Sequence, residues 1–219
     1  MEGLKPPKWL SKENYDHLKP DYVSRVKEKA FSYLDSNQYT KDFSRDKKEI
    51  AATLMSRFQW GAKVAAMVYG YENDFPEIDW RPEPQLNYVG IEWSSADKTS
   101  FVFNSINLEK LLERLLDKKD KITFWEPPFI RGVKSEDNFE LSGVEEMAHL
   151  FFHDAKKHFG GSKILGSGHE SLDYRSSDLE SRAILWKTLY TKRYMPHYRR
   201  MFHRFYHKIR RYREKGGRG

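Results

Sequence analysis

The sequence predicts an α+β fold: N-terminal helices, a small central antiparallel or mixed sheet, a helix that resembles a metal site, and a long basic C-terminal helix. Three observations lead there. Apolar residues recur at helical spacing in the first 70 residues and again after residue 140. Two β-rich runs, "NYVGIEW" (87–93) and "TSFVFNSI" (99–106), lie between these regions, separated by a short polar turn. Aromatics make up 15% of the chain, too many for a disordered one, although the hydrophobic share is only 38%. The core is therefore expected to use Phe, Tyr and Trp as much as Leu and Val.

Taken in order, residues 1–10 read as an extended lead-in, with Pro6, Pro7 and Trp9. Val23, Val26, Ala30 and Leu34 predict a helix over about 20–35. Ile50, Leu54, Phe58, Ala65 and Val68 predict a stronger one over about 45–70, capped by Ser44 or Asp46. The connector "NDFPEIDWRPEPQ" holds Pro76, Pro82 and Pro84, which exclude a long helix. The two β-rich runs then read as a hairpin. Leu108 to Leu116 reads as a short leucine-faced helix and "KITFW" (121–125) as a further strand. "SEDNFEL" reads as a turn and a short extended piece, followed by a helix over 142–159 that starts at Ser142. Residues 159–177 are rich in Gly and Ser and read as a loop. A last pair of helices starts near Ser177 and is broken at Pro196. Residues 1–196 are expected to form one domain, with 197–219 as a basic aromatic helix and frayed tail.

The chain contains no cysteine, so disulfides, thiolate metal sites and cysteine nucleophiles are excluded. No G-x-S-x-G elbow or phosphate-binding loop is present. No signal peptide or membrane-spanning run is visible, and a soluble cytoplasmic protein is expected. Oligomeric state is not legible.

Five ionisable residues crowd "SGVEEMAHLFFHD" (142–154): Glu145, Glu146, His149, His153 and Asp154. Glu145, His149 and His153 are four residues apart, so they form a row along a helix. Such a row offers ligands to one metal ion. "EEMAH" resembles the helix of the zincin metalloproteases, whose motif is HExxH. The resemblance implies Glu145 in place of the first His ligand, His149 as the second ligand and Glu146 as general base. Glu180, in "SSDLESRA", would be the third ligand, from a following helix. It further implies a divalent metal, zinc before manganese or iron, and a peptidase-like hydrolysis in which the metal acidifies a bound water. Two carboxylates and one His would acidify that water less than two His would, and they lean towards Mn or Fe. An inactive relative fits equally well. An alternative set pairs His149 with His153 and completes it with Glu180, His169 or Asp173. A reading without metal is also available. Ser142–Glu145 and Ser177–Glu180 both match the S-x-x-E capping box, which explains each Glu by itself.

The charge is uneven. Of 39 Lys/Arg, 12 fall in residues 187–219, against one acid, Glu214, so this segment is near +11 and the rest near −4. In "MPHYRRMFHRFYHKIRRYREKGGRG", Tyr198, Met201, Phe202, Phe205, Ile209 and Tyr212 make an apolar stripe. Arg199, Arg200, Arg204, Lys208, Arg210 and Arg211 lie between its members. The stripe is expected to dock on the protein and the cations to face outward. Arginine pairs bidentately with phosphate, so nucleic acid or another polyanion is the expected partner. Membrane insertion is not expected. The competing reading is that the tail folds against the protein's own acidic residues.

Overall fold

A computed structural model describes residues 9–68, 79–82, 89–95, 98–103, 108–109, 112–113, 115–116, 133–158 and 178–201. Over the strands, 149–158 and 178–183 the description is of the backbone. The chain divides into two compact units, 1–143 and 144–219.

The first helix, α1, spans Lys12–Ser36. Ser11 caps it: its Oγ accepts from the Asn14 N–H at 3.0 Å. The helix thus begins eight residues before its expected start. Pro20 sits inside it on an exposed position, so its ring faces water and the helix runs through. The gain from burying Tyr15 one turn earlier offsets the lost hydrogen bond. α1 buries Tyr15, Val26, Ala30 and Leu34 against α2 (Arg45–Val68). Ser44 caps α2, with its Oγ 3.3 Å from the Lys47 N–H.

α2 is the centre of the unit, with fifteen of its 24 residues buried. A helix buried on most sides must meet neighbours closely, and two glycines allow it. A Cβ on Gly61 would lie 1.9 Å from the Glu140 carbonyl oxygen. A Cβ on Gly143 would lie 2.1 Å from the Phe58 carbonyl oxygen. The backbones of α2 and α3 (Ser135–His158) therefore touch at this crossing.

The start of α3 corrects the reading of "SEDNFEL" as turn and extended chain. Glu136 and Asp137 occupy the first helical turn, where the positive end of the helix dipole favours acids. Ser142 is mid-helix, and its hydroxyl donates to the Asn138 carbonyl at 3.0 Å. The Ser142–Glu145 capping box therefore does not exist. α4 runs Asp178–Tyr194, and a single 3-10 turn, Pro196–Tyr198, follows. Pro196 breaks the helix as expected, and residues 199–201 are helical again.

The expected α+β class is corrected to a mostly helical fold. Three short strands, β1 (Asp79–Pro82), β2 (Val89–Ser95) and β3 (Lys98–Phe103), pair in the order β1-β3-β2. They do not form a central layer. Among the described side chains, those of the core belong to helices and the turns at their ends. Alternating β-branched and aromatic residues overstated the sheet, because that pattern reports half-burial and not the layer at the centre. β1 falls in the proline-rich connector and pairs parallel with β3. The expected strand at 121–125 lies outside the described residues. Among the described residues, no helix is long and apolar enough to cross a membrane.

Candidate functional site

α3 carries the whole acidic–histidine row. Glu145, Glu146, His149 and His153 all lie on helical backbone, and a rise of about 1.5 Å per residue puts 145 and 153 about 12 Å apart along the axis. Glu145 is 6% exposed and bonded to Lys187 of α4, Nζ to Oε2 at 2.5 Å. Lys187 is 4% exposed. A buried carboxylate requires a cation, and here the chain supplies its own. No local pattern announces this pairing, because Lys187 lies 42 residues away and reads as one more charge of the basic segment. Glu146 is half-buried. The side chains of His149, His153 and Glu180 lie outside the description, as do His169 and Asp173 altogether. Among the described residues, no group of three His, Asp or Glu side chains is placed to hold a metal.

The basic segment is described up to residue 201. Tyr190, Tyr194, Met195 and Tyr198 are buried, while Lys192, Arg193, His197, Arg199 and Arg200 are exposed. Apolar and cationic residues thus separate by face, although they alternate in sequence. Arg204, Lys208, Arg210 and Arg211 lie outside the described residues. Tyr194 packs edge-on against Tyr190, ring centres 4.9 Å apart. Burial pushes its phenol from 10.0 up to about 12, against the opposing pull of Arg193. The raised value stabilises the fold fully below pH 10, and the contribution is lost as pH rises towards 12. Ultraviolet titration is expected to show a late-ionising component that is absent from Tyr194→Phe.

A second charged cluster was invisible in the sequence. The Glu140 carboxylate is fully buried on α3. Its Oε1 accepts from the Tyr15 hydroxyl and from Lys19 Nζ at 3.1 Å, and its Oε2 lies in ion-pair contact with Lys19 at 2.9 Å and Arg57 at 2.8 Å. Arg57 also pairs with Asp137. Two cations and two carboxylates give a neutral cluster that joins α1, α2 and α3. Burial lowers the pKa of Lys19, and Glu140 partly restores it. These partners stand 80 to 125 residues apart, so no spacing motif announces them. The evident work of the cluster is to fix three helices. Comparison of the chain with protein-family models, curated proteins and solved structures finds no match, so its function has to be read from its own residues.

Proposed function

We propose that the protein binds a nucleic acid or similar polyanion through its basic C-terminal segment. The observation that carries this reading is the separation of faces around Pro196. Tyr194, Met195 and Tyr198 are buried, and Lys192, Arg193, Arg199 and Arg200 are exposed. The same alternation continues in sequence to Arg211. Exposed arginines at this density neutralise phosphates and release their counterions. No sequence-reading motif accompanies them, so binding is expected to be governed by charge. With a 30-nucleotide duplex, affinity should fall steeply with salt. Replacing Arg199, Arg200, Arg204 and Lys208 by Gln should flatten the log–log salt slope by about 3 to 4. An unchanged slope in that variant would overturn the reading.

A second reading is a zincin-like metal-binding protein. It is favoured by the unbroken course of α3 through residues 145–153 and by the Glu145–Lys187 pair, which holds α4, the helix bearing Glu180, to α3. With Glu145 engaged by Lys187, the ligand set becomes His149, His153 and Glu180, with Glu146 as base and zinc as the metal. The set closes when α3 and α4 run in opposite directions. Glu180 then lies two turns from Lys187 on the side of His153. Zinc bound at about one equivalent, and lost in both His149→Ala and His153→Ala, is the expected result of elemental analysis. Loss in His149→Ala alone would return the site to Glu145. Zinc retained in both variants, or absent throughout, would sink it.

A further inference from the structure

In the first unit, α1 and α2 line a half-open pocket of about 330 Å³, formed by Leu18, Asp21, Tyr22, Arg25, Trp60, Lys63 and Met67. Its chemistry is one-sided. Arg25 and Lys63 both lie over the ring of Tyr22, at 5.7 and 5.1 Å from its centre. Among the described residues, neither has a carboxylate within ion-pair distance, although most buried or half-buried lysines of this unit do. Two neighbouring cations without a counter-ion repel each other. Accordingly Lys63 is lowered in pKa, by burial first and by Arg25 second.

Trp60 provides an independent sign. It is 1% exposed, its ring packs against Tyr22 at 5.4 Å, and its indole Nε1–H is buried without an acceptor. A buried donor left unpaired is destabilising, and native proteins rarely leave one. The lining thus holds two cations without a carboxylate within ion-pair distance among the described residues, beside the buried indole of Trp60 and the apolar side chains of Leu18 and Met67. An anion in the pocket would answer both cations.

We infer that this pocket binds a small organic anion: one carboxylate or phosphate head for Arg25 and Lys63, on a short apolar body that packs on Tyr22, Leu18, Met67 and the rim of Trp60. The volume lies at the small end of ligand cavities, which suits a single ring or a short chain. Asp21 leaves the lining at a net charge of +1. That suits a head of one or two charges and disfavours a polyphosphate. The site shares no residue with the basic C-terminal segment and does not depend on the function proposed for it.

The test follows the Trp60 indole resonance in ¹⁵N-labelled full-length protein, assigned by its loss in Trp60→Phe. Phenyl phosphate, benzoate and inorganic phosphate are titrated separately. A saturable shift is expected with phenyl phosphate or benzoate, whichever head the site takes. Arg25→Gln and Lys63→Gln should each weaken it by about tenfold or more. Both residues are at least partly exposed, so neither change should disturb the core. Lys41→Gln, on the exposed turn after α1, should leave binding unchanged. No shift at millimolar probe, or equal shifts in the Arg25 and Lys63 variants, would overturn the proposal. Inorganic phosphate binding as tightly as phenyl phosphate would overturn the assignment of an organic ligand.

Discussion

Lys187→Met is expected to destabilise the protein by about 3–5 kcal/mol, the usual cost of stranding a buried charge. At this chain length that lowers the melting temperature by roughly 6–20 °C. Glu145 is 6% exposed and lies 2.5 Å from the Lys187 ammonium, so the substitution takes the adjacent cation away from a buried carboxylate. Glu145→Gln should cost less, since an amide tolerates burial better than a carboxylate. The double replacement Glu145→Met with Lys187→Leu should fall within about 1 kcal/mol of the parent, because a buried ion pair contributes little over an apolar pair of similar volume. Thermal denaturation of the three variants decides the matter. A mild effect in Lys187→Met would mean that Glu145 has another cation. The same variant tests the metal reading from a different side. If added zinc restores the stability of Lys187→Met but leaves the parent unchanged, the freed carboxylate has joined His149 in holding a metal. Lysine would then be the internal substitute for that ion.

Gly61→Ala and Gly143→Ala are expected to be about as damaging. Each new methyl would meet backbone, at 1.9 Å from the Glu140 carbonyl oxygen and 2.1 Å from that of Phe58. A side chain in the way can rotate, whereas a helix backbone can move only by separating the two helices. Overpacking commonly costs about 1–3 kcal/mol, and backbone obstruction belongs at or above the top of that range. The usual gain of Gly→Ala inside a helix, about 1 kcal/mol, therefore reverses in sign. Chemical denaturation should report lower midpoints for both variants. A stabilised Gly61→Ala would show that α2 and α3 do not touch there.

Local signals were the legible part. The bounds of α2 follow from its apolar period, and its cap follows from Ser44. The break at Pro196 follows from the missing amide hydrogen. Other local signals misled. Pro20 looks like a barrier but sits on an exposed face of α1. Asp137 and Asn138 look like turn formers but open α3, where one pairs with Arg57 and the other donates to the Val133 carbonyl. Ser142 and Glu145 match a capping box only because a four-letter pattern carries no information about where a helix starts. The partner of Glu145, the Glu140 cluster and the Trp60 pocket depend on residues tens to more than a hundred positions apart. No periodicity within one segment encodes such meetings.

The Glu140 cluster also bears on how the chain is made. Synthesis proceeds from the N-terminus at about 5–20 residues per second. Tyr15 and Lys19 emerge more than 120 residues before the carboxylate that they contact, and Arg57 emerges 80 residues before Asp137. For roughly 4–25 s, α1 and α2 must wait on the ribosome with their polar partners missing and the face of Gly61 uncovered. Pausing or truncation before residue 140 would leave a half-built helical unit with the Gly61 face of α2 uncovered, the kind of surface that chaperones retain.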